Sequence, residues 1–537
     1  MFVNIGGFVM KKFKKALLLC LAVMIAVSAA GCGKGGETKI DTGSGEMPKT
    51  LSIYASLGPY TLKAGAKDYN DTLYFQLLEE LTGCHIEWVH PAEGAGAEKF
   101  SLLIASGQLP DMMVTDWVGV SGGVKSFAED EVIIPLKQLI NDNMPSLKAY
   151  NDANPNVLKQ YTADDGEVYY IPFIKGNAEL KTYQGPQIRM DWLEKLGLEV
   201  PTNPDELYNV LKAFKEQDPN GNGKNDEIPM SGVMFTGGHG IGNLIWMFGS
   251  TMDIYMEDGK VKYGVMEDSF EEGLRYIVKL FSEGLIDIDY LLNDRSKMDN
   301  KFMNDRVGFI YSLQPGNFYK NMNDGTRKVL GIPYLANEGV KYNVFDSTFT
   351  DDVSPVSIAV TTANKNPSGS LKWLDTLYSE KGIEIMNYGK EGLTFEYVDG
   401  KPQLTDYIYN NPNGKSQQEM SGLCLGTYQA NFPTQQTWDS YNQILSPWGR
   451  ESIEIWGKSA NCDGTIPASL SLSDEEMDII AQTMSQIETY VSENINKIVI
   501  GSESIDALPK IRETIQKMGI DNVIKAYSSA LERYNNK

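Results

Sequence analysis

Histidine and cysteine are the scarcest chemistry-bearing residues of this 537-residue chain, with three His and five Cys. His85, His90 and His239 form no HExxH pair and no CxxC occurs, which excludes the common zinc spacings. Cys20 and Cys32 lie near the start, and the remaining Cys84, Cys424 and Cys462 are too few, and odd in number, for a disulfide framework. Basic charge is also short: 48 Lys and Arg face 71 Asp and Glu, for a net charge of −23. Lys11, Lys12, Lys14 and Lys15 sit in residues 1–31 with no acid beside them, so the rest of the chain is more acidic still. Such a surface repels phosphates and excludes nucleic acid as a partner. Nucleophile and nucleotide motifs are missing as well. There is no GxSxG elbow, and the GKS at 414–416 has Tyr409 where the leading glycine of a P-loop belongs.

The length calls for two to four domains or lobes, and the composition is that of an ordinary globular protein. From Met10, read as the natural start, the sequence runs MKKFKKALLLCLAVMIAVSAAGC: a basic region, an apolar stretch from Ala16 to about Val27, then small residues up to Cys32. The apolar stretch is shorter than the roughly 20 residues of a spanning helix, so residues 1–31 read as an export signal. SAAGC has the form of a bacterial lipobox, with Ala29 where Leu is more usual, and predicts lipidation of Cys32; the alternative is an ordinary signal peptide with an incidental cysteine. The Gly-rich polar residues 32–49 then read as a flexible tether.

Beyond the tether the pattern is α/β. LSIYAS alternates as a strand, and NDTLYFQLLEELTG carries Tyr74, Leu77, Leu78 and Leu81 at helical spacing. CHIEWV, AEKFSLLIASG and DMMVTDW continue as strand, helix and strand, which implies a mostly parallel sheet flanked by helices. A second unit starts near 168. Its first long helix is announced by Asn203 as cap, Pro204 at the first turn and an apolar stripe of Leu207, Val210, Leu211 and Phe214. Further helices are expected at DSFEEGLRYIVKLFSEG and NPSGSLKWLDTLYSEKG, and through most of the C-terminal 60 residues or so.

DPNGNGKNDEIP, from Asp218 to Pro229, has the first half of an EF-hand loop: Asp218, Asn220 and Asn222 at positions 1, 3 and 5, Gly223 at the sharp turn and the Lys224 carbonyl at 7. Position 12 is Pro229 instead of the bidentate Glu, which excludes a true EF-hand and its sensor motion. Asp226 and Glu227 can close the shell in its place; the alternative is a solvated Asn/Gly turn that binds nothing.

LLIASGQLPDMMVTDW, IRMDWLEKLGLEVPTNPDELYNVLKAFKEQDPNGNGKNDEIP, LFSEGLIDIDYL, NYGKEG and the closing GSESIDALPKIRETIQKMGIDNVIKAYSSALERY occur in that order. Together they resemble the large extracellular solute-binding lipoproteins of carbohydrate ABC importers, and within them the subgroup of alginate-oligosaccharide-binding proteins and related Gram-positive lipoproteins. The resemblance implies a type II periplasmic-binding-protein fold, an α/β Venus flytrap of two lobes joined by hinge crossovers, with no catalysis. It implies one lobe from 50–168 plus about 345–409, and a second from 169–344 plus about 410–537. It also implies a structural Ca²⁺ on Asp218, Asn220, Asn222, Lys224, Asp226 and Glu227, and an oligosaccharide ligand passed to ABC permease subunits with a cytoplasmic ATPase. A monomer anchored by lipid on the outer face of a Gram-positive cytoplasmic membrane completes the expectation.

Sugars are gripped by aromatic faces and paired hydrogen bonds, and open α/β sheets bind ligands at strand carboxyl ends. Asp116 and Trp117 at the end of the third strand, Tyr169 and Tyr170 at the first crossover, Trp246, and the pair Trp438 and Tyr441 are therefore the ligand candidates. Arg189 could pair with an acidic ligand or form an internal salt bridge; Trp192 reads as core. The rival reading is a surface polysaccharide-degrading enzyme, which would need two placed carboxylates. A receptor for a non-sugar solute is a further alternative, because one fold serves many ligands.

Overall fold

The computed structural model describes residues 42–537 except 118, 120–122, 234, 236–238, 412–413 and 429–431. The expected export signal and Cys32 lie outside the described residues. The chain lays down β1 (Thr50–Tyr54), β2 (His85–Val89), β3 (Met112–Asp116) and β4 (Ile171–Lys175), and then crosses over. It continues through β5 (Gln184–Arg189), β6 (Ile228–Met230), β7 (Ile254–Glu257), β8 (Lys260–Tyr263), β9 (Val307–Leu313) and β10 (Val329–Gly331). It returns for β11 (Val353–Val360), β12 (Phe395–Val398), β13 (Lys401–Leu404) and β14 (Gln435–Gln436).

Sheet membership defines the lobes. The first has a six-stranded sheet of order β14-β4-β11-β3-β1-β2, and the second a four-stranded sheet of order β10-β5-β9-β6. Because β4 and β14 pair in the first sheet, the first crossover comes after Lys175, not after Val168, and the last comes after Gln436, not near 409. The first part of the chain follows the parallel expectation, with β1 parallel to both β2 and β3. Later strands are mixed: β11 runs antiparallel to β3 and β4, and β5 antiparallel to β9 and β10, while β14 pairs parallel with β4. A strand that returns from the other lobe enters its sheet from the far end, so local βαβ logic does not govern its direction.

Each lobe closes its own core. In the first, Ile53, Met112, Met113, Ile171 and Trp373 are essentially inaccessible. In the second, helix Pro204–Glu216 buries the predicted stripe of Leu207, Val210, Leu211 and Phe214, and the Asn203 side chain accepts from the Glu206 amide at 3.0 Å. Helix Pro447–Ser459, which follows the third crossover, presses Trp456 onto the second sheet, and its indole N–H donates to the Pro186 carbonyl at 3.2 Å. Gly331 permits that approach, since a Cβ there would sit 2.7 Å from the Trp456 ring. The C-terminal segment is three helices, Asp474–Val499, Leu508–Met518 and Ile520–Asn535, all contributing to the second core.

The three crossovers run side by side. Lys175 Nζ donates to the Thr348 carbonyl at 3.2 Å, Tyr183 Oη donates to Thr348 Oγ1 at 3.1 Å, and the Gln184 amide donates to Asp346. The described end of the expected tether is fastened, not loose. The Gly45 amide donates to Asn366 Oδ1 at 3.0 Å, Asn366 Nδ2 donates to the Glu46 carbonyl at 2.8 Å, and Lys372 Nζ donates to the Gly45 carbonyl at 2.6 Å. Cys84, Cys424 and Cys462 are all free thiols, and burial pushes those of Cys84 and Cys424 up to about 12, which keeps them unreactive.

Candidate functional site

A cavity of about 660 Å³ lies between the lobes, within the roughly 300–1,000 Å³ range of small-ligand sites. The first lobe supplies Trp117 at the end of β3, residues 160–164 after helix Pro155–Gln160, and Tyr169 and Tyr170 just before β4. The second supplies Asp253 at the start of β7, the loop 466–473, and one face of helix Asp474–Val499. Met477, Ile480, Met484 and Glu488 recur on that helix at intervals of three and four residues, so one stripe faces the cavity. Its first turn is fixed by a reciprocal cap in which the Ser473 side chain and the Glu476 carboxylate satisfy each other's amides.

Three of the sequence-derived ligand candidates meet here: Trp117, Tyr169 and Tyr170. Trp117 is fully covered, wedged edge-on between Phe100 and Phe127, and its buried indole N–H has no acceptor among the described residues. Tyr169 donates its hydroxyl to Asp165 at 2.8 Å. Asp116 stands beside the cavity, its carboxylate accepting from the Gly119 amide at 2.8 Å.

The others are placed elsewhere. Arg189 is 1% exposed and gives its guanidinium to Asp191 and Asp305 while stacking on Trp192, so it holds an internal salt bridge. Trp246 is packed edge-on against Tyr311 and Phe345 in the second core. Trp438 and Tyr441 pair with each other, ring centroids 6.3 Å apart, on the helix at the third crossover. Sequence reasoning missed Asp253, the serine-rich loop 466–473 and the C-terminal Tyr527 and Arg533, all of which line the cavity. Only the Ser-rich composition of ASLSLSD hinted at a polar wall.

The lobes also touch across this cavity. Arg533 Nε donates to Asp164 Oδ2 at 2.7 Å, and Lys537 Nζ donates to the Thr162 carbonyl at 2.7 Å. The Arg533–Asp164 pair is partly exposed, a setting in which an ion pair is worth about 0–1 kcal/mol, whereas the Lys537 side chain is nearly covered.

Outside the cavity lining, the 218–227 loop leans on the turn before β9. Asn220 Nδ2 donates to the Asp305 carbonyl at 3.1 Å, and the Arg306 guanidinium donates to the Asp226 carbonyl. The amides of Asn222 and Gly223 both donate to the Asp218 carboxylate at 3.0 Å, and Gly223 adopts φ 74. Glu227 is the unresolved member of this ring: both its carboxylate oxygens are buried and accept no hydrogen bond among the described residues. Burial, and then the charges of Asp218 and Asp226, push its carboxyl above the usual range. Among the described residues no three His, Cys, Asp or Glu side chains converge as a cage. The donors here are a mixed set of carboxylate, amide and backbone oxygens, the set that suits a hard cation.

Two α/β lobes, several crossovers and a cavity between them define a receptor that encloses a solute. Comparison with known proteins agrees: residues 55–384 match the model of the bacterial extracellular solute-binding protein family, and the chain belongs to that family. It is 32% identical over 401 residues to the fructooligosaccharide ABC transporter substrate-binding protein FusA of Streptococcus pneumoniae, covering 71% of this chain and 72% of FusA. It is 26% identical to the lipoprotein LipO of Bacillus subtilis, covering 72% and 74%. FusA structures, one with kestose and one of an EF-hand mutant with fructo-nystose, each superpose with a TM-score of 0.69 at 26% identity, covering 91% of this chain and 100% of FusA. FusA is the substrate-binding protein of an ABC transporter.

Proposed function

We propose that this chain is the substrate-binding component of an ABC importer, capturing an oligosaccharide outside the cell and handing it to membrane permease subunits. The observation that carries the reading is the 660 Å³ cavity walled by both lobes, in which hydroxyl-rich loops face an apolar helix stripe. Sugars offer the matching pair of surfaces, hydroxyl edges and C–H faces. Trp117, Tyr169 and Tyr170 serve the first-lobe wall, with Asp116 beside them; Trp438 and Tyr441 lie at the third crossover, outside the cavity lining. Kestose and fructo-nystose in FusA support the ligand class. Calorimetry and thermal-shift measurements on a panel of neutral and acidic oligosaccharides are expected to give at least one ligand with micromolar or tighter affinity and no hydrolysis product. No shift with any glycan would sink the sugar reading.

The same reading includes a structural Ca²⁺ on Asp218, Asn220, Asn222, the Lys224 carbonyl, Asp226 and Glu227. Supporting it are the donor-less Glu227 carboxylate and the resemblance to FusA, of which an EF-hand mutant exists. It also includes a monomer held at the outer face of a Gram-positive membrane through lipidated Cys32, for which the lipobox and the likeness to LipO speak. Cys32→Ser is expected to shift the protein from the membrane fraction to the culture medium; retention on the membrane would remove the anchor.

A further inference from the structure

The cavity's own charges decide which ligands it admits. Five of its lining residues are acids or bases: Lys125, Asp164, Asp253, Glu488 and Arg533. Both bases are already engaged. Arg533 gives Nε to Asp164 at 2.7 Å, Nη1 to Glu476 Oε1 at 2.8 Å and Nη2 to Glu476 Oε2 at 2.5 Å. Lys125 stands at the rim, its ammonium 3.6 Å from Glu129 and 4.0 Å from Asp165. Asp164 is taken up by Arg533 and by Lys537 at 3.1 Å.

Asp253 and Glu488 are different. Neither carboxylate has a hydrogen-bond donor or a cation among the described residues, and both belong to the cavity wall. Asp253 is deep in the protein mass yet solvent-accessible, which is what a side chain facing an internal cavity shows. Loss of bulk water raises both carboxyls above their usual range; the charge of Asp346 adds to the rise at Asp253, and that of Asp253 to the rise at Glu488. Tyr527, lining the same wall, feels both charges. Both are solvent-accessible carboxylates on the cavity wall without a protein donor, which leaves room for donors from a ligand. Sugar hydroxyls supply them, and a hydrogen bond to an ionised carboxylate is about twice as strong as one between neutral groups. A uronate would bring a further carboxylate to a wall whose guanidinium is already paired with Asp164 and Glu476, and like charges disfavour one another.

We infer that the cavity selects uncharged oligosaccharides against uronates, with Asp253 and Glu488 as the two ionised acceptors of ligand hydroxyls. This rests on the oligosaccharide reading given above. It is specific where that reading is general: it assigns a charge class to the ligand and a discriminating role to two residues outside the aromatic set.

The test uses the full mature chain and two sets of trisaccharides, with dissociation constants from calorimetry. The neutral set is 1-kestose, maltotriose, xylotriose and chitotriose; the acidic set is trigalacturonate and an alginate trisaccharide. A neutral sugar at least tenfold tighter than either uronate supports the inference, and a uronate that binds as tightly as the best neutral sugar overturns it. Silence from both sets removes the oligosaccharide reading itself, a different failure from a reversed preference. Asp253→Asn and Glu488→Gln sharpen the result. Each should weaken the best neutral ligand at least tenfold while the ligand-free protein melts no lower, because no internal hydrogen bond is lost. Unchanged affinity in the double variant would overturn the assigned roles.

Discussion

Chelation with EGTA is expected to lower the melting temperature of the second lobe by roughly 5–10 °C relative to the protein in excess Ca²⁺. The size follows from linkage: an ion at about 100 times its dissociation constant stabilises by about 2.7 kcal/mol, and each kcal/mol moves a unit of 150–250 residues by about 2–4 °C. The direction follows from the loop. Without a cation, Glu227 keeps both carboxylate oxygens buried and undonated beside Asp218 and Asp226. The loop also braces β9, because Asn220 and Arg306 join it to the turn at 305–306. Loss of the ion is therefore felt in the sheet. Asp218→Ala should melt near the EGTA temperature and respond no further to calcium. A melting temperature indifferent to both ion and chelator would refute the assignment.

Arg189→Ala is expected to destabilise the protein by about 3–5 kcal/mol, the range for breaking a buried pair and stranding its partners. The guanidinium donates Nε to Asp191 Oδ1 at 2.8 Å, meets Asp191 Oδ2 with Nη2 and Asp305 with Nη1, and lies 4.7 Å from the Trp192 ring centroid. Removing it leaves Asp191 and Asp305 without their counter-charge and opens space over a buried tryptophan. The affinity of the folded variant for its best glycan should stay within threefold of the parent, since Arg189 is 1% exposed and does not line the cavity. Urea unfolding and calorimetry on the same sample separate the two. A large affinity loss with unchanged stability would return Arg189 to the ligand.

What could be read from sequence was local. Helix Pro204–Glu216 follows from Asn203, Pro204 and the Leu207–Phe214 stripe, and β1, β2 and β3 from short alternating runs; both depend on neighbours within a few residues. The crossovers were misplaced because β4 and β14 join a sheet whose other strands lie far away in sequence, and no nearby residue records that choice. The cavity divided in the same way. Trp117 sits at the carboxyl end of β3, where topology predicts a ligand, and Tyr169 and Tyr170 stood out as neighbours of the expected crossover. Asp253 and Glu488 come from two distant segments, and nothing in TMDIY or QIETY sets them apart from the chain's many other acids. Arg189 and Trp246 show the limit of reasoning from residue type, for both are chemically apt and internally spent.

The fastening of residues 45–46 to Asn366 and Lys372 has a mechanical consequence. Any pull arriving from the N-terminal side enters the first lobe through helix Pro367–Thr376 and bypasses the crossovers. The contacts that fasten residues 45–46 lie within the first lobe, so that lobe takes the strain first.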